Sequence, residues 1–170
     1  MPTATYIALA NLTLSGTDAT VTFSNIPAST YRDLVVVIST RSDTNAAADN
    51  MGLYFNSDTG NNYSTVRMLG TGSTTVSGTA PTSARIAQLT VPAANLSTEF
   101  GVATVHIMDY SATDKHKTVL VRSNTAGDQV HAAAGRWAST NAITSVSIDL
   151  YATSANFVSG STFALYGIVS

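Results

Sequence analysis

The chain has no cysteine, one tryptophan, one glutamate and few charges of either sign. Without cysteine there is neither a disulfide framework nor a thiolate metal site. Eight Lys and Arg stand against ten Asp and Glu, a net charge of −2, and the cations are scattered through the 170 residues. That argues against nucleic acid as a partner, because phosphate neutralisation calls for clustered Lys and Arg. No apolar run reaches the roughly 18–20 residues needed to span a bilayer, so no membrane partner is expected. The opening MPTATYIALANLTL has no Lys or Arg ahead of its apolar stretch and is a poor secretion signal.

Charged residues make up only 11% of the chain, against a usual figure of about 25%. Ser and Thr, 46 together, supply the polarity instead. Disordered chains combine high charge with few apolar residues, and this one is 44% hydrophobic. A weakly charged, Thr-rich, β-prone surface suits a protein that works in an assembly, since the cores of interfaces are depleted in charge. At this length one domain is expected, spanning residues 1–170.

Alternation carries the secondary-structure reading. The stretch Glu99–Ser123 reads as two long strands around a polar loop at Ser111–His116. Ala103, Val105 and Ile107 share one face of the first strand, and Phe100, Val102, Met108 and Tyr110 share the other. The return strand places Val119 and Val121 on one face and Leu120 on the other. A strand pair apolar on both sides belongs in the middle of a structure, with a sandwich core on one side and a loop or neighbouring subunit on the other.

Around this pair, Tyr6–Leu14 and Ala19–Asn25 bracket Ser15-Gly16-Thr17-Asp18 and are expected to form a hairpin. Leu34–Ile38 reads as a fully buried strand. Met51–Phe55 follows a polar loop over Thr40–Asn50, and Tyr63–Leu69 is expected to return from it. Gly70–Ser83, GTGSTTVSGTAPTS, reads as an exposed mobile loop. Arg85–Val91 is a strand stopped by Pro92, and Ala93–Thr98 a connection. Val130–Ala138, Ile143–Ala152 and Thr162–Val169 complete the series. Nine to eleven short strands without helical periodicity predict an all-β fold, a jelly-roll-like antiparallel β-sandwich in a single domain. An up-and-down barrel is the alternative.

Chemistry is hard to place on this chain. Asp18, Asp43, Asp58, Asp114 and Asp128 fall in predicted turns, where Asp commonly bonds its own backbone. No Gly-x-Ser-x-Gly elbow accompanies His106, His116 or His131. Asp43-Thr44-Asn45, Asp49-Asn50 and Asn56–Gly60 are rich in oxygen but miss the EF-hand pattern, with Ala48 at the turn glycine and Tyr54 at the bidentate glutamate. No catalytic, cofactor or metal residue is therefore assigned. Asn11, Asn62 and Asn95 open glycosylation-type triplets of the kind expected by chance in so Ser/Thr-rich a chain. For a glycan, which stacks on exposed aromatics, Trp137 beside Arg136 is the best candidate contact.

Three stretches, Tyr31–Thr40 (YRDLVVVIST), Phe55–Ser64 (FNSDTGNNYS) and Ser161–Ile168 (STFALYGI), belong together with Tyr6–Ala10 and Met108-Asp109-Tyr110. Over nearly the whole chain they resemble small β-sandwich virion proteins of tailed bacteriophages, notably phages of aquatic bacteria and cyanobacteria. The shared stretches are structural, strand and turn, and none is catalytic. The resemblance implies a non-enzymatic, oligomeric virion component, with a trimer favoured. Its partner would be the major capsid protein or the tail and fibre proteins, and its place the outer capsid surface or the tail. A start at Met1 with no coiled-coil shaft favours a decoration or cement protein over a complete fibre. A glycan-binding module associated with the tail or fibre is the second reading.

Overall fold

The computed structural model describes residues 4–92, 98–125, 129–151 and 154–169, with backbone alone at 87–90 and 92. The expected Ala93–Thr98 connection apart from Thr98, the Asn95 triplet and Asp128 lie outside the described residues. Among the described residues the twelve strands are β1 (Tyr6–Thr13), β2 (Thr20–Phe23), β3 (Asp33–Thr40), β4 (Ala48–Phe55), β5 (Tyr63–Gly70) and β6 (Thr75–Ser83), then β7 (Ile86–Pro92), β8 (Gly101–Met108), β9 (Lys117–Thr125), β10 (Gln129–Trp137), β11 (Val146–Leu150) and β12 (Thr162–Ile168). All the pairings are antiparallel.

One sheet has eight strands in the order β1-β12-β3-β8-β9-β10-β5-β6, the other four in the order β2-β11-β4-β7. Leaving aside β5, β6, β9 and β10, eight strands remain in two interlocked sets of four. Numbered along the chain, these sets run 1-8-3-6 and 2-7-4-5, the order of a jelly roll made from two Greek keys. The other four strands are two hairpins, one inserted between β4 and β7 and one between β8 and β11. They meet at the β10–β5 pairing and double the width of the larger sheet.

Between the sheets lies one continuous core. Leu34, Val36, Ile38, Val105, Ile107, Phe163 and Leu165 come from the wide sheet, and Val21, Phe23, Met51, Leu53, Phe55 and Ile148 from the narrow one. Ile86 on β7 covers the inner face of the inserted hairpins, where a Cβ on Gly135 would lie 2.7 Å from its Cγ2. Gly135 is small because Ile86 occupies the space a side chain would need.

Three expectations are corrected. The segments around Ser15–Asp18 do not pair: β1 bonds β12 and β2 bonds β11, because the turn carries the chain from one sheet to the other. Asp18 there bridges instead to Phe157, with paired backbone bonds of 3.1 and 2.8 Å. Likewise β5 does not return along β4 but crosses to the wide sheet. Much of Gly70–Ser83 is not a loop: Thr75–Ser83 forms β6 on the edge of that sheet, with Pro81 in a strand whose far side needs no ladder bonds.

Candidate interaction surface

The turn after β4 shows what the oxygen-rich segments do. Asp58 accepts from Gly60 N at 2.9 Å, from Asn62 Nδ2 and from Trp137 Nε1 at 2.7 Å. Partial burial pushes its carboxyl up, but the bonds from Trp137, Gly60 and Asn62 outweigh this and hold it below the ordinary value near 3.8. Asn56, at φ 52°, accepts through Oδ1 from Thr144 N and Ser145 N and donates through Nδ2 to Ala142 O. Asp43 accepts from the backbone and side-chain nitrogens of Asn156, and Asp49 from Thr44 Oγ1 and Asn50 N. Each of these oxygens is committed to holding a loop. Among the described residues no group of three or more His, Asp or Glu is gathered as a metal would need.

Trp137 is corrected as a glycan contact. It is 2% exposed, stacked on Tyr63 with centroids 6.3 Å apart and tilted against Phe55 at 5.5 Å. Arg136 is exposed on the opposite face of β10. Successive residues of a strand point to opposite faces, so the two cannot form one site. The histidines are also apart: His116 is exposed in the β8–β9 loop, His131 is buried under β10, and His106 lies on the outer face, Nε2 3.5 Å from Asp33 Oδ2.

The two outer faces of the sandwich differ sharply. On the narrow sheet, Thr22 Oγ1 bonds Ser147 Oγ at 2.9 Å, and Arg85 pairs with Asp149 at 3.0 Å under the ring of Tyr151. Among its described residues, that face thus pairs polar side chains with one another. On the wide sheet, register aligns Val35, His106, Leu120, Ala134 and Val66 in one row, and Val37, Thr104, Arg122, Ala132 and Met68 in the next. Met68 is 64% exposed, Val130 62%, Leu120 58% and Val66 57%. An antiparallel sheet facing water normally turns polar side chains outward; this one presents Val, Leu, Met and Ala.

Arg122 sits in the middle of this face. It borders a groove of about 440 Å³ with Met68, Val130 and Ala132, and adjoining hollows beside Leu120 and Val66. Its guanidinium makes no hydrogen bond or ion pair among the described residues. Asp33, at the margin of the same face, is 5% exposed and accepts from Asp109 N at 2.8 Å. Nothing in the chain's spacing singles out Arg122, although the outward placement of its neighbour Leu120 was readable from alternation.

Comparison with protein-family models, with curated proteins and with solved structures gives no match.

Proposed function

We propose that the chain is a non-enzymatic structural protein of a bacteriophage virion, most specifically a decoration or cement protein that binds the outer capsid shell and stabilises it. The observation that carries this reading is the exposed apolar face of the wide sheet. Exposed apolar patches larger than a few hundred Å² mark interaction surfaces. The strand and turn stretches that resemble phage virion proteins supply the setting. The low charge of the chain fits a molecule that spends its working life against neighbours.

In this reading the protein acts as a compact oligomer, a trimer being favoured, and adds stability through buried area. A standard interface buries about 1,600 Å², and repetition across a shell makes modest single contacts effective. The test is the amount of this protein in purified particles relative to the major capsid protein. Near-equal amounts and a loss of heat tolerance in particles that lack it are the expected results. A few copies per particle, with loss of host adsorption instead, would move the protein to the tail or fibre. Absence from particles would refute the virion assignment.

A further inference from the structure

The chemistry of the partner follows from the position of Arg122. Leu120, Ala132 and Met68 surround it in the register of β9, β10 and β5, with Val37 and Thr104 completing its row toward β3. A partner that covers these apolar side chains must cover the guanidinium among them. Desolvating an unpaired cation is costly, and removing water from it is tolerable only if an anion replaces the water. Guanidinium matches a carboxylate with two parallel N–H bonds.

The same face of a second copy does not provide that anion. A two-fold contact centred on this patch sets Arg122 near its own mate, like charge against like. The acidic group on the face, Asp33, is buried and already held by the Asp109 N–H, with His106 Nε2 3.5 Å away. Arg136 adds a second cation near the rim of the patch, exposed on β10 and with no ion pair among the described residues. The face is therefore cationic on a chain whose net charge is −2.

We infer that the outer face of the wide sheet docks flat against another protein, through an apolar surface that offers a carboxylate to Arg122. This rests on the decoration reading, and the shell protein is then the partner. Aromatic residues and Arg dominate the energetics of interfaces when they sit centrally in a dry ring of apolar contacts. Arg122 occupies that central position: Leu120, Ala132 and Thr104 lie beside it, and Val37 and Met68 stand one strand further out on either side.

The experiment adds back purified full-length protein to particles made without it and measures bound copies across a concentration series. Arg122→Glu and Leu120→Asp are compared with wild type and with Thr22→Lys on the narrow sheet. Both wide-face positions are exposed, so melting temperatures should stay within about 2 °C of wild type. The expected result is wild-type binding by Thr22→Lys, and a loss of affinity of about 30-fold or more for Arg122→Glu, as when a desolvated charge is left unpaired. Arg122→Lys should fall between, because it keeps the charge and loses the fork.

If wild type binds and every variant binds equally, the inference fails and the decoration reading stands. If wild type does not bind, both fail. If Leu120→Asp turns an oligomer into monomers by sedimentation while binding to particles persists, the face joins copies of this chain and the inference is overturned.

Discussion

The indole Nε1 of Trp137 donates to Asp58 Oδ2 across 2.7 Å, joining the last residue of β10 to the turn that follows β4. One bond thus connects the wide sheet to the chain leaving the narrow one. Around it Phe55, Tyr63 and Trp137 pack ring against ring, and Tyr63 Oη accepts from Phe55 N and donates to Asp58 O. Desolvation raises the Tyr63 phenol far above its ordinary range, so the ring stays neutral and hydrogen-bonded in this corner.

Trp137→Phe should therefore cost stability and leave particle binding intact. The lost bond to an ionised acceptor is worth about 1.5–3 kcal/mol. Trp137→Ala should cost about 3–5 kcal/mol, with the cavity added. Chemical denaturation measures both. A Trp137→Phe variant as stable as wild type would mean that the bond contributes nothing.

Acid should weaken the fold partly through Asp58 and Asp43. Both carboxyls lie below their ordinary values: partial burial raises each, and hydrogen bonds, from Trp137 and from Asn156 respectively, more than offset it. A depressed folded-state pKa gives stability that is present above the unfolded value of about 3.9 and is lost as pH falls through the folded value. Asp149 acts with the opposite sign, since burial raises it despite Arg85, so its contribution falls as pH rises through its folded value. Asp58→Asn should flatten the decline of melting temperature below about pH 4. An unchanged acid slope would remove Asp58 from the account.

Gly167→Ala should be strongly destabilising, because the ring of Tyr31 lies where the new Cβ would go. Overpacking of this kind typically costs about 1–3 kcal/mol. The decisive measurement is a double-mutant cycle with Tyr31→Ala, in which the Gly167 substitution should become nearly neutral. Additive effects would show that the ring is not the obstacle.

Asn56→Ala should loosen the connection between β4 and the segment before β11. It removes the acceptor for Thr144 N and Ser145 N and puts a methyl side chain at φ 52°. The left-handed conformation alone costs about 1–2 kcal/mol for such a residue. Asn56→Gly keeps the backbone comfortable and loses only the bonds, so it should melt between wild type and Asn56→Ala. If glycine and alanine melt together, the backbone conformation is not a source of cost.

Much of the strand content was readable because alternation is a local signal. The central pair, with Ala103, Val105 and Ile107 inward and Val102 and Leu120 outward, appears as expected in β8 and β9. Pairing was not readable, because a turn such as Ser15–Asp18 looks the same whether it closes a hairpin or carries the chain across to a facing sheet. Composition hid β6: Gly, Ser and Thr signal a loop, yet an edge strand with one bonded neighbour tolerates them. Tyr110 escaped simple alternation because Asp109, at φ 46°, turns the chain so that the tyrosine enters the core and its hydroxyl donates to Pro27 O. Trp137 looked like a surface aromatic beside Arg136, and only the facing of β10 separates the two. The apolar outer face was foreshadowed by strands apolar on both sides, but the isolation of Arg122 depends on which residues four other strands bring beside it.

The two hairpins that widen the sheet also impose an order on its formation. β5 and β6 leave the chain early, yet the strand they dock on, β10, is made some sixty residues later. Until β9 and β10 have zipped onto β8, the earlier hairpin has no ladder to join and Tyr63 lacks the Trp137 ring that stacks on it. The seam between β5 and β10 is thus a late, long-range closure, the kind of step that slows β-proteins most. During synthesis the unfinished chain carries a free strand edge, exposed to pairing with another copy, until residue Trp137 has emerged to close it.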